Sequence, residues 1–278
     1  KPVHQNVVKP LTSSIDTKYM KDFLTTFSGF KTRYYKSPSG KESSIWLLNQ
    51  VKDIANKANT SKVSIQVEPF EHSWGQNSVI ARIVPVGPPK LEGVTIVGAH
   101  QDSVNQWNPW FGRSPGADDD GSGTTTIFET FRILVNSGYT PDRVLEFHWY
   151  SAEEGGLLGS QAVASKYRSE NAVVAGMFQV DMTGYKPPNK KEVIGINTDF
   201  VDPKATQFLR VLSEEYVDIA HSDTKCGYGY PSVFVFESDF QDHSPYIHTS
   251  DDTVDHINFD HMKQFVKLVI SWAVEMSA

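Results

Sequence analysis

His100, Asp119, Glu154, Asp181 and His248 each lie inside a short motif: VGAHQDS, PGADDDGSG, SAEEGG, VDMTGY and YIHTSDDT. Two imidazoles and three carboxylates form a donor set of borderline softness that suits zinc. Each motif also reads as a strand end or tight loop, where a side chain can be fixed as a ligand. Charge arithmetic favours two ions over one. Three carboxylates against two divalent cations leave one positive charge, whereas a single ion would leave the site anionic and over-supplied with ligands.

Taken singly, the motifs carry different weights. Asp102, two residues after His100, can accept the second imidazole N–H and fix the tautomer. The run Asp118-Asp119-Asp120 ahead of Gly121-Ser122-Gly123 suits the cap and acidic first turn of a helix. That reading accounts for one carboxylate but poorly for three in succession, because adjacent anions repel without a cation. Glu153-Glu154 has the same ambiguity. Asp181 follows the apolar MFQV, so its charge enters a buried stretch and needs a partner. His248 has Asp251 and Asp252 three and four residues on, an acidic pair that His4 and His72 lack.

The elements that must position these residues follow from hydrophobic periodicity. Residues 12–57 read as helical, with Tyr19, Phe23 and Phe27 four apart, Ile45, Leu48 and Val51 three apart, and Ser43 or Ser44 capping the second helix. From Val63 the pattern turns to strands: SIQVEPFEH, SVIARIVP and GVTIVGAH. A helix TTTIFETFRILVNSG ending at Gly138, a strand VLEFHWYSA, a helix SQAVASKYRSE, strands VAGMFQVDM and PSVFVFES, and a closing helix FDHMKQFVKLVISWAVEM complete the series. The expected fold class is α/β: a single globular domain over residues 1–278, with a central mostly parallel mixed β-sheet and helices on both faces. Ligands in such sheets sit beyond the carboxyl ends of the strands. His100, Glu153-Glu154 and Asp181 all fall at such ends.

With 278 residues, 39% of them hydrophobic, the chain can bury a large core, and no repeat or low-complexity tract divides it. A net charge of -7 without a Lys/Arg-rich block argues against a nucleic-acid partner. No apolar run approaches the ~20 residues needed to span a bilayer, so no membrane partner is expected. The start at Lys1 and the lack of an apolar leader lead us to expect a processed, secreted product. Asn59-Thr60-Ser61 is a glycosylation sequon that agrees with this. The single cysteine, Cys226, implies a missing partner, an intermolecular bond or burial.

The chain resembles the secreted di-zinc leucyl aminopeptidases of fungi and bacteria, especially the fungal ones. The likeness runs from FSGFKTRYYKSPSGKESSIWL through AHQDS, PGADDDGSG, SAEEGGLLGSQ and QVDMTGY to FESDFQDHSPYIHTSDDT, nearly the whole length. It implies two zinc ions bridged by Asp119, with His100 and Asp181 completing one site and Glu154 and His248 the other. It also implies Glu153 as general base, a cis Asp119–Asp120 peptide, and an apolar pocket of Met182, Tyr228, Phe236, Phe240 and Ile247 for the first substrate residue. The implied protein is a monomeric glycoprotein made as a zymogen and acting on peptides with a free N-terminus. The pattern departs from the family after Cys226-Gly227-Tyr228. There the relatives continue with a second cysteine and a Ser-Asp-His segment that has no counterpart here, which removes the disulfide partner expected for Cys226. We read this as a gap, with a main-chain break expected between Tyr228 and Tyr230. Three other functions share parts of the pattern: a single-zinc glutaminyl cyclase, a non-catalytic binding module that would have lost a ligand or the base, and a carboxypeptidase that would need an arginine for the terminal carboxylate.

Overall fold

The computed structural model describes residues 1–58, 61–225 and 233–278. Asn59 and Thr60 of the sequon, Cys226, Tyr228 and the expected break before Tyr230 lie outside the described residues. Three helices open the chain: α1 (Gln5–Thr12), α2 (Thr17–Phe27) and α3 (Pro38–Ala55). The first was not legible as a separate helix. The cap of α3 is Ser37, whose side chain accepts from Gly40 N at 2.9 Å, with Pro38 in the first turn, where its missing N–H costs nothing. Ser43 and Ser44, expected as caps, are instead buried inside α3, donating to Gly40 O and Lys41 O at 2.8 Å each.

The remaining elements are β1 (Val63–Phe70), β2 (Ser78–Pro85), β3 (Val94–His100), α4 (Gly121–Ser137), β4 (Val144–Tyr150), α5 (Leu158–Ser169), β5 (Val174–Val180), β6 (Val193–Asn197), α6 (Pro203–Tyr216), β7 (Ala220–Thr224), β8 (Val233–Phe236) and α7 (Phe259–Ser277). As expected, α4 stops at Gly138, which takes a left-handed φ of 70°. Sequence periodicity did not signal β6, α6 or β7. The first is a short strand with a central glycine, and β7 is the polar segment AHSDT with Thr224 as its buried residue.

The sheet has eight strands in the order β1-β2-β4-β3-β5-β8-β6-β7. Strands β4, β3, β5 and β8 run parallel, as do β6 and β7, while β1 and β2 add antiparallel and β6 opposes β8. The parallel centre brings the carboxyl ends of β3, β4, β5 and β8 to one edge, with His100 in register with Tyr150.

Alternation along each strand separates two very different faces. Leu145, Phe147 and Trp149 of β4 join the main core with Phe128 and Phe131 of α4, Leu212 of α6 and Trp272 of α7. On that face Phe23 of α2 stacks on Phe128 at 4.0 Å between ring centroids. The intervening β4 residues Glu146, His148 and Tyr150 point the other way, where α5 contributes Val163 to a small cluster with Ile80 and Tyr150. Helices thus flank both faces but unequally, and the thinly covered face retains a cavity.

A buried polar network lines that face. Arg82 Nε donates to Glu146 Oε1 at 2.9 Å, Tyr167 Oη donates to Glu146 Oε2 at 2.5 Å, and His148 Nε2 lies 2.7 Å from Glu146 Oε2. Burial alone would raise the Glu146 pKa, but these partners outweigh it and bring it from 4.5 down to about 2. A depressed carboxylate adds stability that is full above 4.5 and is lost as the pH falls towards 2. Urea midpoints across this range should therefore fall more steeply for the native protein than for Glu146→Gln. Parallel acid limbs would show that the network does not hold Glu146 ionised.

Candidate metal centre

The five residues singled out in the sequence converge at the carboxyl edge of the parallel strands. Asp119 is central: its Oδ1 lies 3.0 Å from His100 Nε2 and its Oδ2 lies 2.9 Å from His248 Nε2. Asp181 Oδ1 is 3.6 Å from His100 Nε2, and Glu154 Oε2 is 3.0 Å from His248 Nε2. Two clusters therefore share one carboxylate, with one oxygen facing each histidine. The Asp119–Asp120 peptide is cis.

Asp120 also comes near His100 and Asp181, with one donor atom of each residue within 4.8 Å of the others. Its oxygens are already engaged. Oδ1 accepts from Gly123 N at 2.9 Å and Met182 N at 3.0 Å, and Oδ2 accepts from His100 N at 3.0 Å. Asp120 thus caps α4 and ties β3 to the end of β5, which leaves Asp119 as the better donor for this cluster.

Other buried carboxylates fix the loops through main-chain N–H groups. Asp102 Oδ1 accepts from Glu153 N at 2.9 Å and Oδ2 from Glu154 N at 3.2 Å. Asp102 Oδ1 also faces His100 Nδ1 at 3.4 Å, a contact that falls short of a hydrogen bond. Asp252 accepts from Asp118 N at 2.9 Å and Asp119 N at 3.1 Å. Glu237 accepts from Tyr185 N at 2.7 Å and Ser244 N at 2.8 Å. The fully buried Arg33 donates to Gln101 O and Gly116 O at 2.8 Å each, and to Pro115 O. The sequence signal for these residues was weak. Asp252 was visible only as a neighbour of His248, and Arg33 sits in a helix-to-loop stretch with no pattern of its own.

Backbone geometry sharpens the placement. Ala152 before Glu153, Met182 after Asp181, and His248 itself have φ values of 56°, 50° and 59°. Non-glycine residues rarely adopt this left-handed region, and when they do it is because the surroundings determine it.

The electrostatics fit bound divalent cations. Burial pushes Glu154 up to about 7, helped by the Asp119 charge, and raises Asp181 above the usual carboxylate range. Burial also drives Glu153, Asp120 and Glu237 well above that range. Burial would raise Asp119 too, but the two histidines hold it well below its usual value. Asp119 and Glu154 lift His248 to about 11, while Asp181, Asp102 and Asp119 overcome burial to raise His100. Glu154 Oε1 and Asp181 Oδ1 are buried without a hydrogen-bond partner. Metal coordination would supply both the positive charge and the missing partner.

A cavity of about 850 Å³ opens onto the centre and is lined by Glu153 and the five donors. Met182, Phe236, Phe240 and Ile247 form its apolar end, joined by Phe234, which the sequence reading missed. Phe234 lies two residues before Phe236 on β8 and shares its face, so strand alternation could have found it.

Residues 78–273 match the model of peptidase family M28. A leucine aminopeptidase 1 of Chaetomium globosum is 45% identical, the alignment covering 100% of this chain and 72% of that protein. That of Neurospora crassa is 44% identical with 100% and 72% covered. Among solved structures, the Legionella pneumophila LapA aminopeptidase has a TM-score of 0.90 at 30% identity, covering 100% of this chain and 76% of its own. Elemental analysis of the purified protein should find two divalent ions per chain. Asp102→Asn should weaken their retention roughly 10–100-fold in competition with a chromogenic chelator. Unchanged retention would mean that Asp102 organises only the main chain.

Proposed function

The chain belongs to peptidase family M28, and from that premise we propose that it is a secreted, monomeric metallo-aminopeptidase releasing apolar N-terminal residues, leucine foremost, from peptides. The observation that carries this reading is the shared carboxylate: Asp119 presents one oxygen to His100 and the other to His248. Two zinc ions are the cofactors. His100, Asp119 and Asp181 would hold one, and Asp119, Glu154 and His248 the other. When bound, the pair supplies Lewis acidity and a water of lowered pKa.

Glu153 does the proton work. It lines the cavity, and unlike its neighbour Glu154 it has no histidine beside it at hydrogen-bond distance. Burial raises its carboxyl well above the usual range, suiting it to take a proton from the attacking water and return it to the leaving amine. Asp102 fixes the Glu153 main chain and thereby the direction of its side chain.

As an aminopeptidase it acts on a free α-amine and not on a blocked N-terminus. The apolar end of the cavity formed by Met182, Phe234, Phe236, Phe240 and Ile247 suits a branched aliphatic side chain. Secretion is supported by the Asn59 sequon, which we expect to carry glycan. Among the described residues no helix is long and apolar enough to cross a membrane.

Leucinamide and leucyl peptides should be hydrolysed, lose hydrolysis on chelation and regain it with zinc, while N-acetyl-leucyl peptides should be inert. Cleavage insensitive to chelation would overturn the metal reading, and a content of one zinc per chain would favour the cyclase. Glu153→Ala should keep its zinc and its unfolding midpoint yet lose turnover by about 10²–10⁴-fold. Near-native turnover would remove Glu153 from the role of base.

A further inference from the structure

Three of the ten exposed large hydrophobic side chains among the described residues fall within five residues of chain: Trp107 at 83% exposure, Trp110 at 56% and Phe111 at 76%. They belong to the segment 104–113, which leaves the sheet just after His100 and Asp102 and returns just before Asp119. Clustered aromatic surface of this kind marks a contact site more often than chance exposure does.

The segment is held in shape. Asn105 Oδ1 accepts from Trp107 N and Asn108 N at 3.1 Å each, and Asn105 Nδ2 donates to Arg113 O at 3.0 Å. Asn108 Oδ1 accepts from Phe111 N at 3.2 Å, and Trp110 meets the Tyr34 ring edge-on at 5.6 Å. The aromatic side chains are therefore presented on a fixed loop.

Its position relative to the centre identifies the occupant. Gln106 N donates to the His248 carbonyl at 3.1 Å. His248 is also the most open of the five donors, its side chain 33% exposed against 15% for Asp181, 8% for Asp119, 7% for Glu154 and 1% for His100. The centre thus faces solvent on the side where this loop is attached. An aminopeptidase takes its substrate N-terminus first, so the remaining chain must pass out over the open side. At about 3.3 Å per extended residue, two or three residues reach roughly 7–10 Å beyond the scissile bond, on the side where the segment is tied to His248.

We propose that Trp107 and Phe111 form a platform for substrate residues beyond the scissile bond, giving a preference for peptides with aromatic or large apolar second and third residues. This rests on the aminopeptidase reading. Rigid aromatic surface bonds to such side chains at low entropic cost and without demanding one sequence.

The test compares leucinamide, Leu-Gly-Gly and Leu-Phe-Phe as substrates for the native enzyme and for Trp107→Ala/Phe111→Ala. Both side chains are exposed, so their removal leaves no cavity. The native enzyme should prefer Leu-Phe-Phe over Leu-Gly-Gly in kcat/KM, and the double variant should lose roughly tenfold of that preference, mainly through KM. Leucinamide hydrolysis should stay within about twofold, and Trp107→Phe/Phe111→Tyr should restore the preference. Equal preference in native and variant enzymes overturns the platform. A parallel fall for leucinamide also overturns it, since the loop would then act only by supporting His248. A native enzyme that cleaves none of the three overturns the aminopeptidase reading itself, a result separable from failure of the platform alone.

Discussion

The structure is organised around a crowd of buried carboxylates. Asp118, Asp119, Asp120, Asp102, Glu153, Glu154, Asp181, Glu237 and Asp252 gather at the carboxyl edge of the sheet, with the cation of Arg33 and the imidazoles of His100 and His248 among them. Burying so many anions is prohibitive unless each finds a donor or a positive charge. The chain meets this by two routes. Asp102, Asp120, Asp252 and Glu237 are spent on main-chain N–H groups, which fixes the loops. Asp119, Glu154 and Asp181 keep oxygens directed at one another and at the histidines, a remainder that the two zinc ions of the proposed centre would neutralise.

Each N–H-binding carboxylate joins segments far apart in sequence, so the site's shape is tied to the whole fold. Asp120 links the end of β3, the start of α4 and the end of β5; Asp252 holds the Asp118–Asp119 main chain from the far end of the chain. Arg33 reaches carbonyls on both sides of the aromatic loop while its guanidinium lies 4.3 Å from the Phe27 ring centroid. Burial lowers Arg33 to about 10, a departure limited by Asp252, Asp102, Asp120 and Asp119. Its charge therefore persists at neutral pH and offsets part of the anionic surplus.

The uneven helical cover of the sheet has a functional consequence. The face carrying α4, α6 and α7 is packed with large apolar side chains and supplies the rigidity. The opposite face, covered by α5, leaves the cavity that meets the metal centre, with the apolar group around Phe234 and Phe236 at one end. Strand alternation lets one sheet serve both tasks, since successive residues of β4 and β8 point into core and cavity in turn.

The sequence alone determined the donor types, their placement at strand ends and the parallel centre of the sheet, because short motifs and period-two patterning are local properties. The strands β1 to β5, the helix α4 with its stop at Gly138 and the five candidate donors that the fold brings together were legible in this way. What local pattern left open, and only the family resemblance addressed in the sequence, is how neighbouring carboxylates divide their contacts, which the tertiary structure decides. Asp118, Asp119 and Asp120 are adjacent and chemically identical, and their roles separate only when His100, Met182, Gly184 and Asp252 arrive from distant segments to engage them. The same holds for Arg33 and for the left-handed turns at Ala152, Met182 and His248. Hydrogen-bond partners and allowed dihedrals at these positions are set by contacts across the fold, so no local pattern in the sequence carries them.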